Sequence, residues 1–312
     1  MTQGPDTPAA TADPDPTETA VRSPYLVRLA ARSVATRTVL CLGLDPDPDG
    51  LPDGFSRDLR GVEAFARLVL EAAGPHAAAV KPNLAFFEAF GSAGIAALER
   101  LRAAMPGDLP VVIDAKRGDI GSTAARQASA LYDGLGADAI TISPYLGEEA
   151  IAPLIARTDR FAYVLCRTSN PGAGELQGLE VAADTASGAP AEPLWARVAR
   201  RVQTWGPGGT VGLVVGATAP AELGAIRRLA PGLAFLVPGV GAQGGDESAA
   251  LADGRATALP AGAGLGGGLL VNVSRGIAGA ARTDAPHGAG SDPGEALAAA
   301  ASDWAARLPV LP

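Results

Sequence analysis

The sequence is poor in the residues that build disulfide frameworks, metal centres and histidine triads. Its 312 residues include two cysteines, Cys41 and Cys166. Both sit in apolar runs, VLCLGL and YVLCR, and read as buried thiols of a reducing compartment. The two histidines are no better placed: His76 precedes the second apolar run, and His287 lies in a Gly/Ala/Pro stretch. No triad and no multi-histidine metal centre can be assembled from them. Excess positive charge is missing too. With 25 basic against 33 acidic residues, the net charge of −8 repels polyanions, which excludes a general nucleic-acid or anionic-membrane surface. Any phosphate must therefore be bound locally. No stretch approaches the roughly 18 uninterrupted apolar residues of a membrane span. Residues 1–20 hold no Lys or Arg and no apolar core, so they are not a secretory signal, and a cytoplasmic protein is expected.

Lysine is the most telling scarcity. Of 25 basic residues only Lys81 and Lys116 are lysine, and the rest are arginine. In a chain so biased, lysines serving only as surface charge are readily replaced. The two that remain point to chemistry that guanidinium cannot do, because an ammonium can give up and regain a proton.

What is present is ample core material, 47% hydrophobic residues, together with 40 glycines and 26 prolines that imply many turns. Residues 1–22 have no periodicity and read as a disordered tail. Residues 23–312 then read as one domain. Eight short apolar runs follow: 38–44, 77–81, 111–114, 139–143, 161–166, 211–216, 234–237 and 269–273. Helical patterns lie between them at 61–73, 86–104, 122–135, 148–157, 194–205 and 221–230, with others at 23–35 and 295–307. Near-continuous apolar strands, each followed by a helix, predict an all-parallel sheet covered on its outside. Eight such units match an α/β fold of the (β/α)8 TIM-barrel type with an extra N-terminal helix. The alternative, a doubly wound open sheet, lacks its glycine fingerprint after the first strand, where Gly43-Leu44-Asp45-Pro46 stands. Long insertions follow strands five and seven, at 170–193 and 244–268, and a short helix is expected near 248–252.

In such a barrel the active site forms at the C-terminal strand ends. Both lysines fall there, alongside Asp45, Asp114, Ser143 and Arg275. The densest cluster is Asp114-Ala115-Lys116-Arg117-Gly118-Asp119-Ile120. Strand alternation points Asp114 and Lys116 the same way, so that each favours the charged form of the other and Lys116 can serve as a positioned acid. Asp119 either folds back into this row or reaches a neighbouring subunit. After strand seven comes Pro238-Gly239-Val240-Gly241-Ala242-Gln243-Gly244-Gly245, and after strand eight Ser274-Arg275-Gly276. Small residues there let backbone N–H groups approach a phosphate, and Arg275 can grip it with two parallel bonds.

Together with Val80-Lys81-Pro82-Asn83 and Ser143-Pro144-Tyr145, these motifs, in this order, resemble the orotidine 5′-phosphate decarboxylase family in its longer bacterial form. The resemblance spans roughly residues 24–280. It implies a homodimeric barrel with shared active sites that converts orotidine 5′-phosphate to UMP and CO2 without metal or organic cofactor, in de novo pyrimidine synthesis. Carried over by position, Asp45 and Lys81 bind the ribose, with Lys81 also part of the charged row, Asp114 sits beside the substrate carboxylate and Lys116 delivers the proton to C6. Asp119 and Thr123 enter the partner's site. Ser143 reads the pyrimidine edge, Gln243 spans base and phosphate, and Arg275 with Gly239 and Gly241 holds the phosphate. In many relatives the arginine loop reads Gly-Arg-Ser instead of Ser-Arg-Gly. Two other readings remain at this point: a Mg2+-dependent sugar-phosphate decarboxylase or aldolase on a related barrel, and a non-catalytic barrel that binds a nucleotide.

Overall fold

Eight short strands, apolar on both faces, pair in parallel: β1 Leu40–Leu44, β2 Ala79–Pro82, β3 Val112–Arg117, β4 Ala139–Ile142, β5 Phe161–Arg167, β6 Val211–Val215, β7 Ala234–Val237 and β8 Leu270–Val273. They are seen in a computed structural model that describes residues 24–186, 188, 190–258, 264–282 and 292–311. The expected tail at 1–22, His287 and part of the 244–268 insertion lie outside these residues. Strand order is β2-β1-β8-β7-β6-β5-β4-β3. Parallel bridges Val80–Val111 and Asn83–Asp114 join β2 to β3 and complete the ring. The (β/α)8 barrel expected from the apolar periodicity is therefore the fold.

Two apolar layers hold it together. Cys41, Ala79, Val112, Phe161, Tyr163 and Leu270 fill the barrel interior, and a larger layer joins the outer strand faces to the helices. Gly212 shows how tight the interior is, since a Cβ there would lie 2.9 Å from the Phe161 ring. The additional N-terminal helix, α1 Tyr25–Thr36, plugs the end of the barrel remote from the strand C-termini. Its Tyr25 ring stacks on Phe161 with centroids 5.0 Å apart, and its hydroxyl lies 3.1 Å from that of Tyr163. A buried phenol needs such a partner.

Several helix boundaries differ from the sequence expectation, each for a local reason. The helix expected over 86–104 is split into Ala85–Glu88 and Gly91–Ala104, because Gly91 adopts φ +61°. The one expected over 148–157 shrinks to Ala152–Ile155, since Pro153 has no N–H to extend the helix backward. That over 122–135 starts at Gly121 and passes from α (to Ala128) into a π-helical turn, Ser129–Gly134. The expected extra helix is present as Glu247–Gly254, capped by the Asp246 carboxylate on the Ala249 N–H at 3.0 Å. The insertion after β5 carries a short helix, Gly174–Gln177, and a two-stranded ribbon of Glu180–Val181 with Glu192–Pro193. The C-terminal helix, Pro293–Arg307, begins on an Asp292 cap with Pro293 at its first turn. Among the described residues no helix is long and apolar enough to cross a membrane.

Both cysteines are free and buried. Burial pushes the Cys41 thiol up to about 12 and lifts that of Cys166 well above the usual thiol range. Since the thiolate is the reactive species, a disulfide-exchange reagent is expected to modify neither cysteine in the native protein and both after denaturation. Rapid labelling of the native chain would contradict the burial.

Candidate active site

The C-terminal ends of the strands surround one cavity of about 490 Å3, a size usual for small-molecule sites. At its floor, four side chains from three neighbouring strands meet. Lys81 Nζ on β2 donates to Asp114 Oδ2 on β3 at 2.8 Å, and Lys116 Nζ donates to Asp114 Oδ1 at 2.6 Å. Thr141 Oγ1 on β4 donates to Asp114 Oδ1 at 2.8 Å. The side chains of Lys81 and Asp114 are only 5% and 12% exposed, whereas that of Lys116 is 51% exposed and reaches into the open cavity. Burial alone disfavours the Lys81 ammonium, but the carboxylates of Asp114 and Asp45 overcome it and raise its pKa above the usual lysine value. Burial likewise disfavours the Asp114 carboxylate, yet the two ammonium groups hold it far below the usual range. Lys81 and Asp114 are thus both held in their charged forms.

Asp114 and Lys116 converge, as strand alternation predicts, but Lys116 has left the extended conformation. Its φ is +49°, and the pairing of β3 with β4 slips between Ile113 and Arg117. A left-handed backbone at a lysine costs on the order of 1–3 kcal/mol and needs external support. Thr141 supplies it: its Oγ1 accepts from the N–H groups of both Ala115 and Lys116 at 3.0 Å while donating to Asp114. One hydroxyl therefore fixes the kink and the carboxylate together. Arg117, the next residue, turns away to pair with Glu88.

The upper part of the cavity is built from loops. Gly239, at φ +100°, lets the chain after β7 double back past Ser169; a Cβ there would lie 3.0 Å from that of Ser169. The fold-back brings Gln243 Oε1 within 3.2 Å of the Ser169 hydroxyl. Arg275, exposed, opens a short helix after β8 and faces the same cavity. The Ser-Arg-Gly order has a packing reason. Ser274 lies so close to Gly43 that a Cβ on that glycine would come within 2.6 Å of the serine's, and a Cβ on Gly276 would stand 3.0 Å from Trp304. Two buried acceptors, Asp45 Oδ1 and Asn272 Oδ1, have no hydrogen-bond partner, and both residues line the cavity. Unmet acceptors in such a place call for donors on a ligand.

Of the residues singled out in the sequence, Asp45, Lys81, Asp114, Lys116, Gly239, Gln243 and Arg275 line this one cavity. Gly241 stands in the same loop, at φ +77°. Asp119, Thr123 and Ser143 do not line it. Asp119 Oδ1 accepts from the Ile120 N–H at 2.8 Å. Ser143 lies past the end of β4, where its N–H donates to the Arg117 carbonyl at 2.8 Å. Sequence reasoning passed over Thr141, Ser169 and Asn272. Thr141 and Asn272 stand on strands two positions before the serines that were picked out, so alternation could have found them. Ser169 lies in irregular chain and carried no such signal.

Comparison with known proteins points to one family. The sequence model of the orotidine 5′-phosphate decarboxylase / HUMPS family matches residues 38–286. An orotidine 5′-phosphate decarboxylase of Thermomicrobium roseum is 45% identical over 251 residues, covering 80% of this chain and 85% of the relative. One from Roseiflexus castenholzii is 48% identical over 237 residues, 76% and 82% of the two chains. The solved structure of Leishmania donovani OMP decarboxylase superposes with TM-score 0.72 at 37% identity, covering 91% of this chain and 96% of that one. Leishmania donovani UMP synthase gives TM-score 0.74 at 40% identity over 91% of this chain, which spans only 55% of that longer protein. With the family match running from β1 to beyond β8 and both lysines inside it, the chain belongs to the orotidine 5′-phosphate decarboxylase / HUMPS family.

Proposed function

We infer that this chain is an orotidine 5′-phosphate decarboxylase, a carboxy-lyase of pyrimidine biosynthesis that forms UMP and CO2. The observation that carries the reading is the pair of ammonium groups bound to one carboxylate at the cavity floor. Breaking the bond between C6 and the carboxylate leaves an electron pair in the plane of the pyrimidine ring, where no π system can spread it. Lys116, fixed before the reaction by Asp114, places positive charge beside that pair and then transfers its own proton to C6. The lysine regains a proton from water. Asp114 lies beside the substrate carboxylate, so the departure of CO2 relieves a repulsion between like charges.

The remaining roles follow the lining of the cavity. The unpartnered Asp45 oxygen and the Lys81 ammonium suit ribose hydroxyls. The linked Ser169 and Gln243 form a bridge between base and phosphate, where the resemblance implies that Gln243 spans the two and Ser143 reads the pyrimidine edge. Arg275 and the glycine loop at 239–245 take the phosphate, whose binding energy holds the loop over the base. A Mg2+-dependent reaction fits less well, because both oxygens of Asp114 already accept from ammonium groups and offer a hard cation little.

Asp119 and Thr123 serve the partner subunit of a cytoplasmic homodimer in this reading. Support comes from their absence from their own chain's cavity and from the exposed apolar side chains nearby, Ile120 at 59%, Leu146 at 54% and Tyr145 at 82%. Mixing inactive Lys116→Ala and Asp119→Ala proteins is expected to restore part of the activity, since one hybrid site is then intact. No recovery despite demonstrated subunit exchange would put Asp119 in its own subunit's site.

The activity itself is tested by the fall in ultraviolet absorbance when purified protein meets orotidine 5′-phosphate, with and without EDTA. Fast loss insensitive to EDTA is expected. No loss, with turnover of a sugar phosphate on adding Mg2+, would overturn the assignment.

A further inference from the structure

The C-terminal helix Pro293–Arg307 lies beyond the family match, which ends at residue 286, yet it touches both loops assigned to the phosphate. Trp304 makes the contact and is only 7% exposed. Its six-membered ring lies 3.2 Å from where a Cβ of Gly241 would stand, and its Nε1 lies 3.0 Å from where one of Gly276 would stand. The indole thus fills the space that these two glycines leave empty. Trp304 Nε1–H also donates to the Gly276 carbonyl at 3.3 Å, fixing the Gly276–Ile277 peptide one residue past Arg275. The same ring packs against the Arg307 guanidinium, 3.8 Å from the ring centroid. Arg307 Nε donates to Glu247 Oε2 at 3.1 Å, and Glu247 opens the helix directly after the glycine loop. One helix therefore braces the β7 loop at Gly241 and at Glu247, and the β8 loop at Gly276.

We propose that Trp304 is a positioning residue for the substrate phosphate, setting the distance between the β7 and β8 loops from behind. The proposal rests on the reading that these loops hold phosphate. Trp304 does not line the cavity, so it acts only through the backbone of the two loops. Its effect is accordingly confined to substrates that carry the phosphate, whereas a merely structural residue would weaken turnover of every substrate alike. Binding energy from a remote group is lost when either the group or its support is removed.

The test compares orotidine 5′-phosphate with orotidine, the same nucleoside without phosphate, in Trp304→Phe and Trp304→Leu proteins. The Phe variant keeps an aromatic ring but loses the N–H donor; the Leu variant loses both. Expected is a fall of about tenfold in kcat/KM for orotidine 5′-phosphate in the Leu variant, a smaller fall in the Phe variant, and values for orotidine within about twofold of wild type. Equal losses on both substrates would overturn the proposal. A second readout needs no change at Trp304. The chain has three tryptophans, so replacing Trp195 and Trp205 by Phe leaves Trp304 as the sole emitter. Its emission should shift on titration with UMP and stay unchanged with uridine, and indifference to bound UMP would contradict the role. Arg275→Ala separates this proposal from the reading beneath it. If that variant leaves KM unchanged, the phosphate is held elsewhere and the underlying assignment fails. If it raises KM while the Trp304 variants behave as wild type, only the positioning role fails.

Discussion

Replacing Lys116 with alanine is expected to lower kcat for orotidine 5′-phosphate by about 10^4-fold or more while leaving UMP binding within about tenfold of wild type. The two parts of the loss have separate sources. A fixed charge facing a developing anion is worth about 10^2–10^3 in rate. A positioned general acid contributes about 10^2–10^4 in addition. Lys116 supplies both, since its ammonium is held 2.6 Å from Asp114 and its side chain is half open to the cavity. Binding of UMP depends on other groups, Arg275, Gln243 and Asp45, all of which line the same cavity from the segments that follow other strands. Steady-state kinetics and calorimetric titration with UMP separate the two effects. Turnover close to wild type would remove Lys116 from the chemistry, and loss of UMP binding in parallel with turnover would make it a binding residue. Lys116→Arg is informative beside it. That variant keeps a positive charge but holds its proton too firmly to give it away, so it should recover little of the lost rate.

Asp114→Asn is expected to damage stability as well as activity. Lys81 is buried and loses its carboxylate partner, and breaking a buried ion pair by removing one member costs about 3–5 kcal/mol. In a chain of this size that lowers Tm by roughly 5–8 °C. The sign of the pH dependence follows from the direction of the shift. The native carboxyl of Asp114 titrates well below its unfolded value, so its contribution is complete above the unfolded carboxylate pKa of about 3.9 and declines as pH falls through the window beneath it. Lys81, shifted upward, contributes fully below its unfolded pKa of about 10.4 and is lost only in stronger alkali. The Tm difference between wild type and Asp114→Asn should therefore be flat across neutral pH and narrow below about pH 4. Equal Tm values at pH 7, or a gap of constant width down to pH 3, would show that the pair is not coupled to folding.

Why some of this could be read in the sequence and some could not is clear at particular residues. The eight strands announce themselves as short runs that are apolar on both faces, because a parallel sheet covered by helices leaves no polar side to alternate. Lys81, Asp114 and Lys116 end such runs in a chain where arginine otherwise replaces lysine, so their placement at one rim follows from the barrel alone. The left-handed backbone at Lys116 was not legible, since it depends on the Thr141 hydroxyl of β4 accepting from its N–H, some 25 residues away in the chain. Ser143 closes the apolar run 139–143, but β4 ends at Ile142, and beyond a strand's last residue alternation no longer tells where a side chain points. Ser169 lies in irregular chain, and only the fold-back at Gly239 brings Gln243 to it. The bracing by Trp304 joins residues far apart in sequence, and local periodicity carries no trace of it.

The claim that Lys116 carries a proton to and from C6 can be tested without decarboxylation. An enzyme that protonates a C6 carbanion must also, in reverse, remove the C6 proton of bound UMP. Incubated with the wild-type protein in D2O, UMP should exchange its C6 hydrogen for deuterium, seen as loss of that proton's NMR signal. With Lys116→Ala the rate should fall to that of buffer alone. Wild-type protein that releases CO2 from orotidine 5′-phosphate but exchanges no C6 hydrogen, or a Lys116→Ala variant that exchanges as fast as wild type, would contradict the role of this lysine.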